Sequence, residues 1–205
     1  MTKPLPALIR LHLTGLRLLL VFTVVCGLGY PLLITGVSQL ALSGQANGSL
    51  VRLNGQVVGS SLLGQAFGLP GRASALPDPR WFQPRPSAAG SGYDAAASGA
   101  SNLGPDDAGL TRTVKLRRLA IALFDRVAPA SVPPDALTSS GSGLDSGISP
   151  AYAYEQVNRV ARARRLSPAV VRSLVVAHTQ GRSLGFLGQP RVDVVTLNLA
   201  LAKLG

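Results

Sequence analysis

The sequence predicts an α+β protein: one N-terminal transmembrane helix, then a small extracytoplasmic domain with a short β-hairpin or sheet and about four helices. Three observations carry that expectation. An uncharged, mostly apolar run fills Leu18–Leu42. The pair Asn54-Gly55 separates two short β-like stretches. Further on, helix-start signals recur at Pro105-Asp106-Asp107, Ser149-Pro150 and Ser167-Pro168, each ahead of apolar residues at helical spacing.

The apolar run divides the chain into a cytoplasmic N-terminus (1–17), a transmembrane helix (18–42) and the outer domain (43–205). At about 1.5 Å per residue the run is roughly 37 Å long, against a hydrocarbon core of about 30 Å. A soluble core helix is usually interrupted by charge over such a length, and the apolar region of a cleavable signal peptide is only about 7–15 residues long. Lys3, Arg10 and Arg17 precede the run, and no charge follows it until Arg52. Positive residues stay on the cytoplasmic side, so the N-terminus is expected in the cytoplasm and the domain outside. Pro31 is expected to kink the helix. Gly29 and Gly36, seven residues apart and so nearly on one face, offer a flat patch where a partner helix can approach closely.

In the outer domain, Asn54-Gly55 between Ser49–Leu53 and Gln56–Gly59 signals a hairpin with a type I′ turn. Leu62–Phe67 is expected to extend that sheet. Residues 68–104, dense in Gly, Pro, Ser and Ala, read as an ordered loop system anchored by Trp81, Phe82 and Tyr93. A helix should open at Pro105-Asp106-Asp107 and end near Val127, before Pro129. Residues 129–149 read as loop. The helix after Ser149-Pro150 turns Tyr154, Val157, Val160 and Ala161 inward and places Arg159, Arg162 and Arg165 on the opposite face, with Glu155 one turn before Arg159. The next helix carries the stripe Val171, Leu174, Val175, His178 and should stop near Gly181. The last segment, from about Arg191 to Leu204, is apolar all round and should be buried.

Composition narrows the chemistry. Of 205 residues, 20 are Lys or Arg and 9 Asp or Glu, a net charge of +11, yet only 14% are charged and 46% hydrophobic, which argues against a disordered basic tail. One cysteine, Cys26, and two histidines, His12 and His178, exclude a disulfide scaffold and a Cys/His zinc site. Ser140-Gly141-Ser142-Gly143 lacks the Lys-Ser/Thr of a phosphate loop and the Gly-x-Ser-x-Gly of a hydrolase elbow, so it reads as a turn. His178, on an apolar stripe, reads as a histidine bonded to a carbonyl. Buried in its helix, Asn198 needs partners and is expected to fix that helix against the Ser/Gly loops. The arginine cluster 159–165 has no interleaved aromatics, which disfavours nucleic acid and favours anionic headgroups or an acidic partner surface.

Several segments together resemble one family. They include Gln65-Ala66-Phe67, Trp81-Phe82-Gln83-Pro84-Arg85-Pro86-Ser87, Tyr93-Asp94 and Ser98–Pro105. Ser140–Asp145 with Ile148-Ser149-Pro150, Gln156-Val157, His178-Thr179-Gln180-Gly181-Arg182, Leu184–Gly188, Pro190-Arg191-Val192 and Leu197–Leu201 continue the match. In this order they resemble the C subunit of the Kdp potassium-transporting ATPase over nearly the whole chain. Four positions depart from the family's pattern: Trp81 for tyrosine, Ala100 for glycine, Gly147 for histidine and Asp193 for asparagine. The resemblance implies an accessory, non-catalytic subunit of an ATP-driven, high-affinity potassium uptake complex in the bacterial inner (plasma) membrane. Its partners there are a channel-like subunit, a P-type ATPase pump subunit, a very small membrane subunit and the lipid bilayer. Its role is to stabilise their assembly, with the domain placed to cap the ion entrance. The resemblance also implies an alternative, a chaperone-like rise in the ATP affinity of the pump subunit, and maps a nucleotide contact to Gln156. The charge rule opposes that second role: ATP is cytoplasmic, and Gln156 is expected outside.

Overall fold

A computed structural model describes residues 6–69 and 72–204. Contacts divide the chain into two units, one ending at Ser49 and one beginning at Leu50. Lys3 lies outside the described residues, as do Pro70 and Gly71 of the expected loop.

The first unit is one long helix with a short appendage. Helix α1 (Ala7–Val24) passes through a π-helical turn (Val25–Gly29) into α2 (Tyr30–Ala41), and a single turn, α3 (Ser43–Ala46), follows. The continuous helix, Ala7–Ala41, is long and apolar enough to cross a membrane, and none of its residues is buried within the structure. It starts at Ala7, well before the uncharged run, so Arg10 and Arg17 lie on it. Thr14 Oγ1 donates to the Arg10 carbonyl and His12 Nδ1 lies 2.8 Å from that of Leu8, so polar side chains satisfy themselves on the helix. Just before Pro31, where a kink was expected, the helix widens into the π turn. Pro31 has no N–H to donate, and its ring crowds the carbonyl four residues back. A π turn immediately before it, with Tyr30 N donating to Val25 O, relieves both problems.

The second unit opens with the expected hairpin: β1 (Leu50–Leu53) pairs antiparallel with β2 (Gln56–Ser60). Asn54 and Gly55 have φ of 50° and 82°, the two left-handed positions a type I′ turn requires. Leu62–Phe67 does not extend this sheet. One bridge, Ser60 to Leu63, is all that forms. The chain instead makes a separate ladder, β3 (Gly68–Leu69) with β4 (Arg72–Pro77), inside the stretch expected to be loop.

From 78 to 107 there is neither helix nor strand. Helix α4 (Ala108–Asp125) is capped by Asp107, whose carboxylate accepts from Leu110 N, and ends at Arg126 in the left-handed conformation. A 3₁₀ turn (Pro129–Ser131) and one-turn α5 (Pro134–Leu137) interrupt the next expected loop. Ser149 and Ser167 cap α6 (Pro150–Arg164) and α7 (Pro168–Ala177) as their sequences signal. Helix α7 stops at Ala177, short of Gly181, because the His178 ring and the Thr179 hydroxyl turn back to the Leu174 and Val175 carbonyls and the backbone joins a sheet. That sheet is antiparallel: β5 (Gly147–Ile148) and β6 (Thr179–Gln180) flank β7 (Arg191–Asp193). Residues 191–193 are therefore strand, and only α8 (Val194–Ala202), capped by Asp193, is helix.

The core lies between α6, α7, α8 and this sheet. Val157, Val160, Val171, Val175, Val192, Leu197 and Leu201 are buried there with Phe82 and Ile148. Each such side chain contributes about 1.5–3 kcal/mol of transfer free energy. The segment that enters this core from outside, Trp81-Phe82-Gln83, is irregular, and its unpaired backbone sets the problem that the polar residues solve.

Candidate functional site

Two carboxamides hold the irregular segment. Phe82 N donates to Asn198 Oδ1 and Asn198 Nδ2 donates to Phe82 O, both at 2.9 Å. Gln83 N donates to Gln156 Oε1 at 2.6 Å and Gln156 Nε2 donates to Gln83 O at 3.1 Å. A primary amide presents a donor and an acceptor side by side, as a neighbouring strand does. Successive residues of an extended chain face opposite ways. Helix α8 therefore serves Phe82 and α6 serves Gln83, and the segment sits between two substitutes for strands. The Gln83 amide is in turn ringed by the carbonyls of Phe67, Asp78 and Trp81, at 2.8–3.2 Å.

Arg159 completes the lock. It is 3% exposed. Its Nη1 donates to Pro79 O (2.8 Å) and Trp81 O (2.9 Å), Nη2 to Gln156 Oε1 (2.6 Å), and Nε to Asp125 on α4. The guanidinium lies 4.5 Å from the centroid of the Phe124 ring. This corrects the expected exposed row of three arginines: Arg159 faces inward, spent on backbone carbonyls and a carboxylate, while Arg162 and Arg165 remain exposed. Arg165 ends α6 with a φ of 58°. Arg164, between them, donates to Arg80 O and stacks 4.1 Å over the Trp81 ring. Gln156, the expected nucleotide contact, lies in the same lock. The side chain is fully buried, and its oxygen already accepts two hydrogen bonds.

Beside the lock, α6 carries an acid that faces another acid. Both Glu155 oxygens are shielded from solvent and accept no hydrogen bond among the described residues. Burial first, then the neighbouring Asp125 charge, pushes its carboxyl up to about 7. Burial also raises Asp125, against the pull of Arg159. The expected Glu155–Arg159 pair is thus replaced by Asp125–Arg159, which a nine-tenths buried cation needs more.

The other end of the segment is pinned by small residues. Ser87 Oγ donates to Gly143 O (2.6 Å) and accepts from Ala89 N and Tyr93 N. The Tyr93 hydroxyl donates to Arg85 O (2.6 Å). Gly143 has φ +70°, and a Cβ there would stand 2.6 Å from Gly99 O, so only glycine fits. Ser142 is exposed, and its hydroxyl accepts from Leu144 N. The Ser-Gly-Ser-Gly run is a packing turn, as its sequence suggests. His178 is bonded to a carbonyl, as expected. Asn198 finds its partners in Phe82 rather than in the Ser/Gly loops, because α8 faces the 81–83 segment.

Two depressions flank the segment: a mainly apolar groove of about 650 Å³ between Pro84, Pro86 and the Ile121 and Phe124 side chains, and a cleft of about 570 Å³ whose lining includes Arg85, Asp145 and Arg191. On the long helix, a Cβ added at Gly36 would meet nothing, and at Gly29 only its own helix's Val24 carbonyl at 3.6 Å. Sequence reasoning missed Asp125 and Gln83. The one available signal was that Asp125 is the only acid on an α4 otherwise charged by Arg112, Lys115, Arg117 and Arg118.

A domain ordered by its own buried polar lock, joined in sequence to one exposed helix long and apolar enough to cross a membrane, defines the class of protein. The family is specified by comparison. The model of the K+-transporting ATPase c chain, KdpC, matches residues 12–203. The potassium-transporting ATPase KdpC subunit of Kineococcus radiotolerans is 53% identical over 98% of this chain and 97% of its own. Those of Streptomyces avermitilis and Sorangium cellulosum are 48% and 53% identical, over 95% and 91% of this chain and 94% of theirs in each case. The chain belongs to the KdpC family, whose members are named as a subunit of the potassium-transporting ATPase.

Proposed function

We propose that this chain secures the assembly of a potassium-transporting ATPase as its anchored, non-catalytic subunit. The apolar helix crosses the inner membrane with Arg10 and Arg17 on the cytoplasmic side and packs through Gly29, Pro31 and Gly36 beside helices of the channel-like, pump and small subunits. The domain stands outside, over the ion entrance, with Arg162 and Arg165 free to meet a partner or lipid headgroups. One observation carries this reading. The helix Ala7–Ala41 buries none of its side chains within the chain, so its apolar surface needs lipid and neighbours, while the domain's polar centre is closed on itself. The alternative, a nucleotide contact that tunes the pump's ATP affinity, loses its anchor residue, because Gln156 is committed to Gln83 and Arg159.

Purification of the complex from cells lacking this chain tests the reading. Loss of co-purifying subunits, or weakened potassium affinity, is expected. Full assembly with unchanged potassium affinity overturns it.

A further inference from the structure

Helix α4 has two sides of opposite character. Its inner side carries Asp125, bonded to Arg159, and Arg117, whose Nη1 donates to Leu137 O at 3.0 Å. Its outer side carries Leu116, Leu119 and Leu123, which are 58%, 58% and 82% exposed. At about 100° per residue these three leucines fall within about 60° of the helix circumference. Arg112 and Lys115 share that side and are exposed, as is Arg126 just beyond the helix end. Acids are scarce on the surface around them. Among the described residues, which include all nine Asp and Glu, Asp106 alone stands open to solvent, and the others are buried or half-buried. A strip of aliphatic side chains is thus held in water with cations beside it and no exposed acid after the helix begins.

We infer that α4 is an interfacial helix: it lies along the headgroup layer of an anionic phospholipid bilayer, with its three leucines at the acyl boundary and Arg112, Lys115 and Arg126 among the phosphates. The inference rests on the reading that Ala7–Ala41 crosses the membrane. Given that, residues 42–49 alone join the anchor to β1. Even fully extended they reach only about 30 Å, so the domain stays tethered close to a bilayer surface whichever way it turns. Charge then selects the occupant. Leucines flanked by Lys and Arg are the pattern of a helix lying in a membrane interface. Arg112 falls within the leucine arc, where its stem can lie along apolar surface while the guanidinium rises to a phosphate. Protein contacts instead anchor on tryptophan, tyrosine and arginine, with leucine under-represented among the residues that carry the energy, and the large exposed side chains of this strip are all leucine. A second copy of the chain would set Arg112 and Lys115 against their own counterparts with no acid to answer them.

The test uses the full chain reconstituted in vesicles of phosphatidylglycerol and phosphatidylcholine with brominated acyl chains. Leu123→Trp is read against the parent, whose Trp81 supplies the background emission. The bromines are expected at least to halve the emission that the substitution adds. Adding Arg112→Glu/Lys115→Glu to the same chain, or using phosphatidylcholine alone, should restore it. All three positions are exposed, so the unfolding midpoint should stay that of the parent. Undiminished emission in the anionic vesicles overturns the inference. An alkaline wash separates that failure from failure of the spanning reading: a chain that stays with the vesicles unquenched loses only the α4 contact, and a chain that washes off loses both. In the whole complex in native membranes, a photo-crosslinking amino acid placed at Leu119 should yield phospholipid adducts. A crosslink to another subunit would mean that protein covers α4, and would overturn the lipid assignment.

Discussion

The lock around Arg159 and the outer side of α4 are opposites. In the first, charged and amide groups are buried: Arg159, Asp125, Gln156 and Asn198 lie inside with every strong bond directed at the chain itself. In the second, leucines stand in water. Each inverts the usual distribution, and the two inversions have different causes. The buried polar groups exist because an irregular segment, Trp81–Gln83, runs through the core and its N–H and C=O groups must be satisfied somewhere. The exposed apolar groups satisfy nothing within the chain. The contrast separates residues that serve the domain's own folding from residues that face outward to others.

Substitution can break that contrast or sharpen it. Arg159→Met should cost the most, about 3–5 kcal/mol, because Asp125 would remain buried and charged without its partner. Chemical unfolding of the full chain in detergent reads this directly, and a cost near zero would mean that the lock is ornamental. Asn198→Ala comes next. It leaves the Phe82 N–H and C=O unsatisfied, at about 1–3 kcal/mol for each orphaned group, read as a lowered unfolding midpoint.

Glu155→Gln should be smallest and visible chiefly as a change in pH dependence. The folded chain holds this carboxyl up near 7, against an ordinary value of 4.5. Neutral Glu155 therefore contributes stability that is complete below about 4.5 and is lost as pH rises through about 7. The variant keeps a neutral side chain throughout, so its stability relative to the parent should climb across that window. A difference independent of pH would show that Glu155 does not face the Asp125 charge.

Helix starts were legible because their signals are local: Asp107, Ser149 and Ser167 each cap the helix they precede. So was the Asn54-Gly55 turn, which needs only two residues of positive φ. The sheet around β7 was not, since strands of two or three residues carry no periodicity and pair across long separations, Gly147 with Asp193 and Thr179 with Val192. Arg159 was misplaced for a related reason. Spacing along α6 gives its angular position, but whether a neighbouring strip of backbone needs two donors there depends on Pro79 and Trp81, some eighty residues away in the chain. The resemblance to the Kdp C subunits supplied the family from the same residues without supplying this geometry.

The π turn before Pro31 carries a consequence for anyone drawing the anchor as a wheel. It inserts one residue beyond the regular repeat, so everything from Tyr30 onward is rotated by about 100° relative to an unbroken α-helix. A stripe traced from Arg10 and Arg17 does not continue straight to Gly36. The lower and upper halves of the anchor can therefore present independently chosen sides to their surroundings, and a cross-linking scan should be indexed separately on either side of Val25–Gly29.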